Sequence, residues 1–139
     1  MGRILAIDYG GRRCGLAVTD PLRLSVNPRP VVSPEAVLAV VEEVAAEGDL
    51  DRVVLTRSSR ADGTPNPIQA RIDRFAARLA ERLPGLPIDY QDEYGSSKEA
   101  RSLLRTAGVG KRRRAAKGAL DSVSAAVILE RYLRDQGIW

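Results

Sequence analysis

A chain of 139 residues is long enough for one domain with its own core and short for two, so residues 1–139 are read as a single domain. With 44% hydrophobic and 29% charged residues it reads as globular, and a formal charge of +4 leans towards polyanionic partners. Histidine is absent, which excludes Ser-His-Asp and Cys-His nucleophile pairs, His-ligated zinc and histidine general bases.

No apolar run approaches the roughly 20 residues of a membrane span, and the N-terminus lacks the apolar stretch of a signal peptide. The expectation is a cytoplasmic protein that makes no membrane contact. The one cysteine, Cys14, cannot form an internal disulfide, which suits a reducing compartment. Its apolar surroundings mark it as core.

The first stretch, RILAIDYGGRRCGLAVTD from Arg3 to Asp20, contains two apolar runs linked through Gly10 and Gly11 and reads as a β-hairpin. Ile4, Leu5, Ala6 and Ile7 are apolar at consecutive positions, so the first strand is expected to be covered on both faces. It ends on a carboxylate, Asp8. That residue either caps the turn through its own backbone or serves a metal or phosphate.

Residues 21–30 are broken by prolines and read as a turn, with a short third strand over 29–33 antiparallel to the second. Ser33 and Pro34 read as the N-cap and first position of a helix carrying Val37, Val40, Val41 and Val44, ended by Gly48. A fourth strand over 52–56 is reached from that helix and should lie parallel to the first.

Asn66-Pro67-Ile68-Gln69 resembles a capped start to a second helix, with the stripe Ile68, Ile72, Phe75, Leu79 and Leu83. Arginines at 71, 74, 78 and 82 mark its other faces. Residues 86–90 read as a fifth strand running into Asp92-Glu93. Ser96 or Ser97 caps a third helix through residue 107, with Leu103 and Leu104 inward. Residues 108–118 hold the densest basic run: Lys111, Arg112, Arg113, Arg114 and Lys117. A last helix spans about 119–134, with Leu120, Val123, Val127 and Tyr132 among its apolar residues. The order is α/β: one five-stranded mixed sheet, antiparallel through the first three strands and parallel through the first, fourth and fifth, flanked by helices.

Three carboxylates stand out by position. Asp8 and Glu93 follow strands expected to share a carboxyl-terminal edge, where open α/β sheets collect ligands. Asp121 lies in the first turn of the last helix and joins them if that turn packs over the same edge. At an effective dielectric of about 20, two such charges about 4 Å apart cost roughly 4 kcal/mol, so a proton or a cation must intervene. Oxygen ligands without His or Cys suit Mg²⁺ or Mn²⁺, and two such ions could act on a phosphodiester.

Asp8-x-Gly10-x-x-x-Cys14-Gly15-Leu16-Ala17 resembles the opening of the YqgF/RuvX family. Asp92-Glu93 with Ser96-Ser97-x-Glu99-Ala100 resembles its second motif. Lys117-Gly-Ala-Leu-Asp121-Ser-x-Ser-Ala-Ala-Val-Ile-Leu129 is similar to its third. The resemblance implies a ribonuclease H-like fold and a metal-dependent nuclease with Asp8, Glu93 and Asp121 as catalytic residues and ligands. It also implies action on nucleic acid: processing of the pre-16S ribosomal RNA 5′ end, or resolution of Holliday junctions.

Two departures adjoin the expected site: Thr56-Arg57-Ser58-Ser59 replaces the family's Gly-Leu-Pro, and Asp92-Glu93-Tyr94 replaces Asp-Glu-Arg. The basic run at 111–114 and 117 is expected to bind phosphates with little sequence preference. Tyr9, Tyr90 and Tyr94 are the aromatic residues expected near the site. A junction resolvase would need two sites and hence a homodimer. Two other readings stay open: a phosphate binder of the actin and Hsp70 kind, whose opening hairpin looks much the same, and a non-catalytic RNA- or ribosome-binding protein.

Overall fold

The computed structural model describes residues 2–58, 62–64, 66–106 and 119–139. Strands β1 (Arg3–Tyr9), β2 (Cys14–Thr19) and β3 (Val26–Val32) precede helix α1 (Val37–Ala46). Then come β4 (Leu50–Arg57), α2 (Ile68–Arg82), β5 (Ile88–Asp92), α3 (Ser96–Thr106) and α4 (Ala119–Asp135). The strand order is β3-β2-β1-β4-β5. β1–β2 and β2–β3 are antiparallel; β1–β4 and β4–β5 are parallel. The expected sheet is therefore present, strand for strand.

β1 is central for the reason its composition suggested: Ile4, Leu5, Ala6 and Ile7 are each 0% exposed, so helices must cover both faces. Alternation sends Leu5 and Ile7 to a core shared with Val37, Val41 and Val44 of α1 and Ile72, Phe75 and Leu79 of α2. Ile4 and Ala6 face the other way, with Ala17 and Val54, onto Ala125, Ile128, Leu129, Tyr132 and Leu133 of α4. Alanines at 6 and 17 keep that second face shallow, which lets α4 lie close to the sheet.

Several boundaries differ from expectation. β3 starts at Val26, inside the stretch read as a turn, and contains Pro28 and Pro30. It is an outer strand, where a proline's missing N–H costs the ladder nothing. α1 begins at Val37, because residues 33–36 close a separate turn with the Ala36 N–H donating to Ser33 O (3.0 Å). Gly48, at φ +99°, ends it as expected. The clamp there is Arg3, which donates to Val44 O (2.8 Å), Gly48 O (2.6 Å) and Glu47 (3.0 Å). Hydrogen bonds from Arg29 and Arg3 pull the Glu47 carboxyl down to about 2.

Gln69 does not close a capping box. Its Oε1 accepts from the Ser58 N–H (2.7 Å) and its Nε2 donates to Asp73 (2.9 Å), tying the end of β4 to α2. β5 starts two residues later than expected. Leu103 is 46% exposed rather than inward, because the buried line of α3 runs through Ser96 and Ala100; the Leu104 side chain lies outside the described residues. The buried face of α4 includes Val127 and Tyr132 as expected, but centres on Ala125, Ile128, Leu129 and Leu133. Leu120's side chain is likewise outside the described residues. Among the described residues, no helix is long and apolar enough to cross a membrane.

Leu79 is fully buried between α2 and the sheet. Leu79→Ala should cost about 2–5 kcal/mol, read as a lower urea midpoint at an unchanged m-value.

Candidate active site

The carboxyl-terminal edge of the parallel strands brings Asp8 and Glu93 together, with Asp121 within charge range of Asp8. Asp8 is the only charged position after Arg3 on β1, and alternation points it to the α4 face with Ile4 and Ala6. Its neighbour across the β1–β2 hairpin is Gly15. A Cβ at Gly15 would overlap the carbonyl oxygen of Asp121, so the absence of a side chain there is what lets the first turn of α4 touch the sheet beside Asp8. The Ser122 hydroxyl donates to Arg29 O (3.3 Å) and fastens the same turn to β3.

Glu93 leaves the sheet immediately after β5. Its N–H still donates to Arg57 O (3.2 Å), extending the β4–β5 pairing by one step. Two turns then swing the chain away: Asp92 Oδ1 accepts from the Tyr94 N–H (2.7 Å), and the Ser96 N–H donates to Glu93 O (2.9 Å). Asp92 is thereby used to shape the turn, and Glu93 is the member of the pair that hydrogen-bonds the Asp8 carboxyl. Arg131 of α4 donates to Tyr94 O (2.7 Å) and to Glu99 (2.8 Å), so the helix that carries Asp121 also braces the loop that carries Glu93.

The electrostatics follow from this crowding. Burial, then the charges of Glu93 and Asp121, and then the hydrogen bond with Glu93 push the Asp8 carboxyl up to about 7. Asp121 has a partner of its own: Arg13 Nε donates to its Oδ2 at 2.8 Å. Asp8 and Glu93 are thus in direct contact, with Asp121 within charge range but engaged by Arg13. Among the described residues, no three acidic, Cys or His side chains stand together as a ready-made metal cluster.

Other expectations for this edge are revised. Tyr9 is buried on the α1–α2 face, its ring 5.3 Å from that of Phe75. Tyr90 packs on the same face, with the Arg57 guanidinium 5.1 Å from its ring and its hydroxyl bonded to Asp73 (3.3 Å). Of the three tyrosines, Tyr94 alone is exposed beside the carboxylates. Cys14 is fully buried, and burial pushes its thiol up to about 11, an inert core residue as expected. The basic run at Lys111, Arg112, Arg113, Arg114 and Lys117 lies outside the described residues.

Two residues of the site were not singled out by the sequence. Arg13 stands in the hairpin link ahead of Gly15, a basic residue beside an acidic cluster, and that placement was the available signal. Thr56 was visible only as a departure from the family pattern. It is fully buried, and among the described residues its Oγ1 has no hydrogen-bond partner, a condition that costs about 1–3 kcal/mol.

Gly15→Ala should displace the first turn of α4, lowering the melting temperature and removing any divalent-ion binding at Asp8. Retention of both would show that the contact is dispensable. The Asp8 carboxyl has an ordinary value of 3.8 and is raised to about 7 in the fold, so the folded chain keeps a proton that the unfolded chain releases. This group therefore withdraws stability as pH rises from about 4 to about 7 and withdraws it fully above. Without divalent ions, Asp8→Asn should melt above the parent at pH 8, by about 3 °C per kcal/mol recovered, with the gap closing towards pH 4.

Comparisons with known proteins bear on the family and the fold. The family model RuvX, described as Holliday junction resolvase, matches residues 2–135. A protein of Chlorobium phaeobacteroides named "Putative pre-16S rRNA nuclease" is 37% identical over 135 residues, covering 97% of this chain and 94% of that protein. A protein of Porphyromonas gingivalis with the same name is 39% identical over 133 residues, covering 96% of each. Among solved structures, Thermus thermophilus RuvC in complex with a Holliday junction substrate aligns with a TM-score of 0.58 at 18% identity, over 97% of this chain and 96% of that one. The fold is accordingly ribonuclease H-like. The chain belongs to the RuvX family, a family of nucleases and hence of hydrolases that cut phosphodiester bonds.

Proposed function

We propose that this nuclease is a divalent-metal-dependent endonuclease acting on structured nucleic acid, with the 5′ end of pre-16S ribosomal RNA as its substrate and the cytoplasm as its place of action. Asp8, Glu93 and Asp121 are the catalytic carboxylates. The observation that carries this reading is the Asp8 carboxyl, held at about 7 by burial and by two further acids. A half-buried acidic pair made only of hard oxygen donors fits Mg²⁺ or Mn²⁺, one ion or two.

When bound, such an ion supplies Lewis-acid stabilisation of charge on the phosphate and lowers the pKa of water. The chain's own residues do the rest. Asp8 and Glu93 would be the first two ligands of such an ion, both offering hard carboxylate oxygens. Asp121, here paired with Arg13, would be the third ligand. Arg13, 40% exposed beside Asp121, would be placed to meet a phosphate oxygen. Lys111, Arg112, Arg113, Arg114 and Lys117 bind the phosphate backbone, so affinity should fall steeply with salt. The exposure of Tyr94 alone among the three nearby tyrosines favours recognition of backbone shape over base stacking.

A second reading rests on the description of the family model and on the RuvC likeness: cleavage of a four-way DNA junction. That activity would require two copies of the site, and so a homodimer.

Precursor 16S ribosomal RNA and a four-way DNA junction, offered side by side with Mn²⁺ or Mg²⁺, separate the two readings. The RNA should be cut, and folded Asp8→Asn, Glu93→Gln and Asp121→Asn proteins should each lose at least about 100-fold in rate, as losing a metal-held transition state demands. A chelator should abolish cleavage. Activity that survives all three substitutions would remove the mechanism, and faster cutting of the junction would exchange the substrate.

A further inference from the structure

The β1–β4 pairing runs to Ile7–Leu55, and the next step along both strands brings Asp8 and Thr56 to neighbouring positions. Val54 packs against α4 with Ala6, so alternation turns Thr56 to the same face as Asp8. On the other side Thr56 pairs with Gln91, whose amide is engaged by Asp135 (3.0 Å). Thr56 is 0% exposed, and among the described residues its Oγ1 has no partner. The carboxylate that the sheet register places beside Thr56 is that of Asp8.

A threonine kept for packing alone would serve better as valine, which has nearly the same shape and no hydroxyl to desolvate. A carboxylate that ligates a cation through one oxygen commonly turns the other to a neighbouring donor, and such donors tune ion affinity. We propose that Thr56 is a positioning residue for the Asp8–Glu93 pair, its hydroxyl donating to one of their oxygens when the pair holds a divalent cation. The inference rests on the metal-dependent reading above.

The test is titration of the folded protein with Mn²⁺ alone, by calorimetry and by the electron spin resonance of free Mn²⁺, without nucleic acid. Thr56→Val and Thr56→Ala should weaken Mn²⁺ binding by about 10-fold, while Thr56→Ser stays within about twofold of the parent. Without metal, Thr56→Val should melt no lower than the parent, because an unpaired hydroxyl has been removed. Equal Mn²⁺ affinity in the parent and Thr56→Val, or equal loss in Thr56→Ser and Thr56→Val, would overturn the proposal while leaving the metal site standing. A parent that binds no Mn²⁺, or an Asp8→Asn protein that binds it as tightly as the parent, would overturn both.

Discussion

The site depends on one close approach: the backbone at the start of α4 rests on Gly15, in register with Asp8. Three acids separated widely along the chain come within charge range of one another because β1 and β5 run in the same direction and because α4 is allowed to press on the sheet. Ala6 and Ala17 provide the shallow seat, and Ile128, Leu129 and Leu133 hold the helix there by apolar burial. The same helix reaches Tyr94 and Glu99 through Arg131. One packing decision thereby sets the position of two acidic groups, while β1 supplies the third.

Acids drawn together this way carry an electrostatic cost, and the structure meets it by two different means. Arg13 neutralises Asp121 directly. Among the described residues Asp8 and Glu93 have no such cation, and the response there is retention of a proton on Asp8 up to about pH 7. A residual imbalance of this kind, in an all-oxygen setting, distinguishes the Asp8–Glu93 pair from the ion-paired acids elsewhere, such as Glu47 between Arg3 and Arg29.

How much of this could be read from the residues depended on how local the cause was. The two-faced burial of β1 was legible because four consecutive apolar residues admit little else, and the edge shared by Asp8 and Glu93 followed from the order of strands and helices. β3 was misread because prolines argue against a strand unless its outer place in the sheet is known, which is a tertiary fact. Tyr9 and Tyr90 were placed near the site by proximity in sequence, yet alternation along their strands sends both to the opposite face. The Arg13–Asp121 pair spans 108 positions, and the burial of Thr56 depends on a helix more than sixty residues further on; neither leaves a mark in nearby sequence. The basic run at 111–117 was conspicuous as composition and lies outside the described residues.

The two prolines of β3 reach beyond local bookkeeping. An outermost strand normally offers its free N–H groups to any passing strand, and here two positions along that rim have none to offer. Continuing the sheet from one molecule into another is therefore blocked on the β3 side. Two copies joined strand to strand would have to meet along β5, the rim that leads into Glu93.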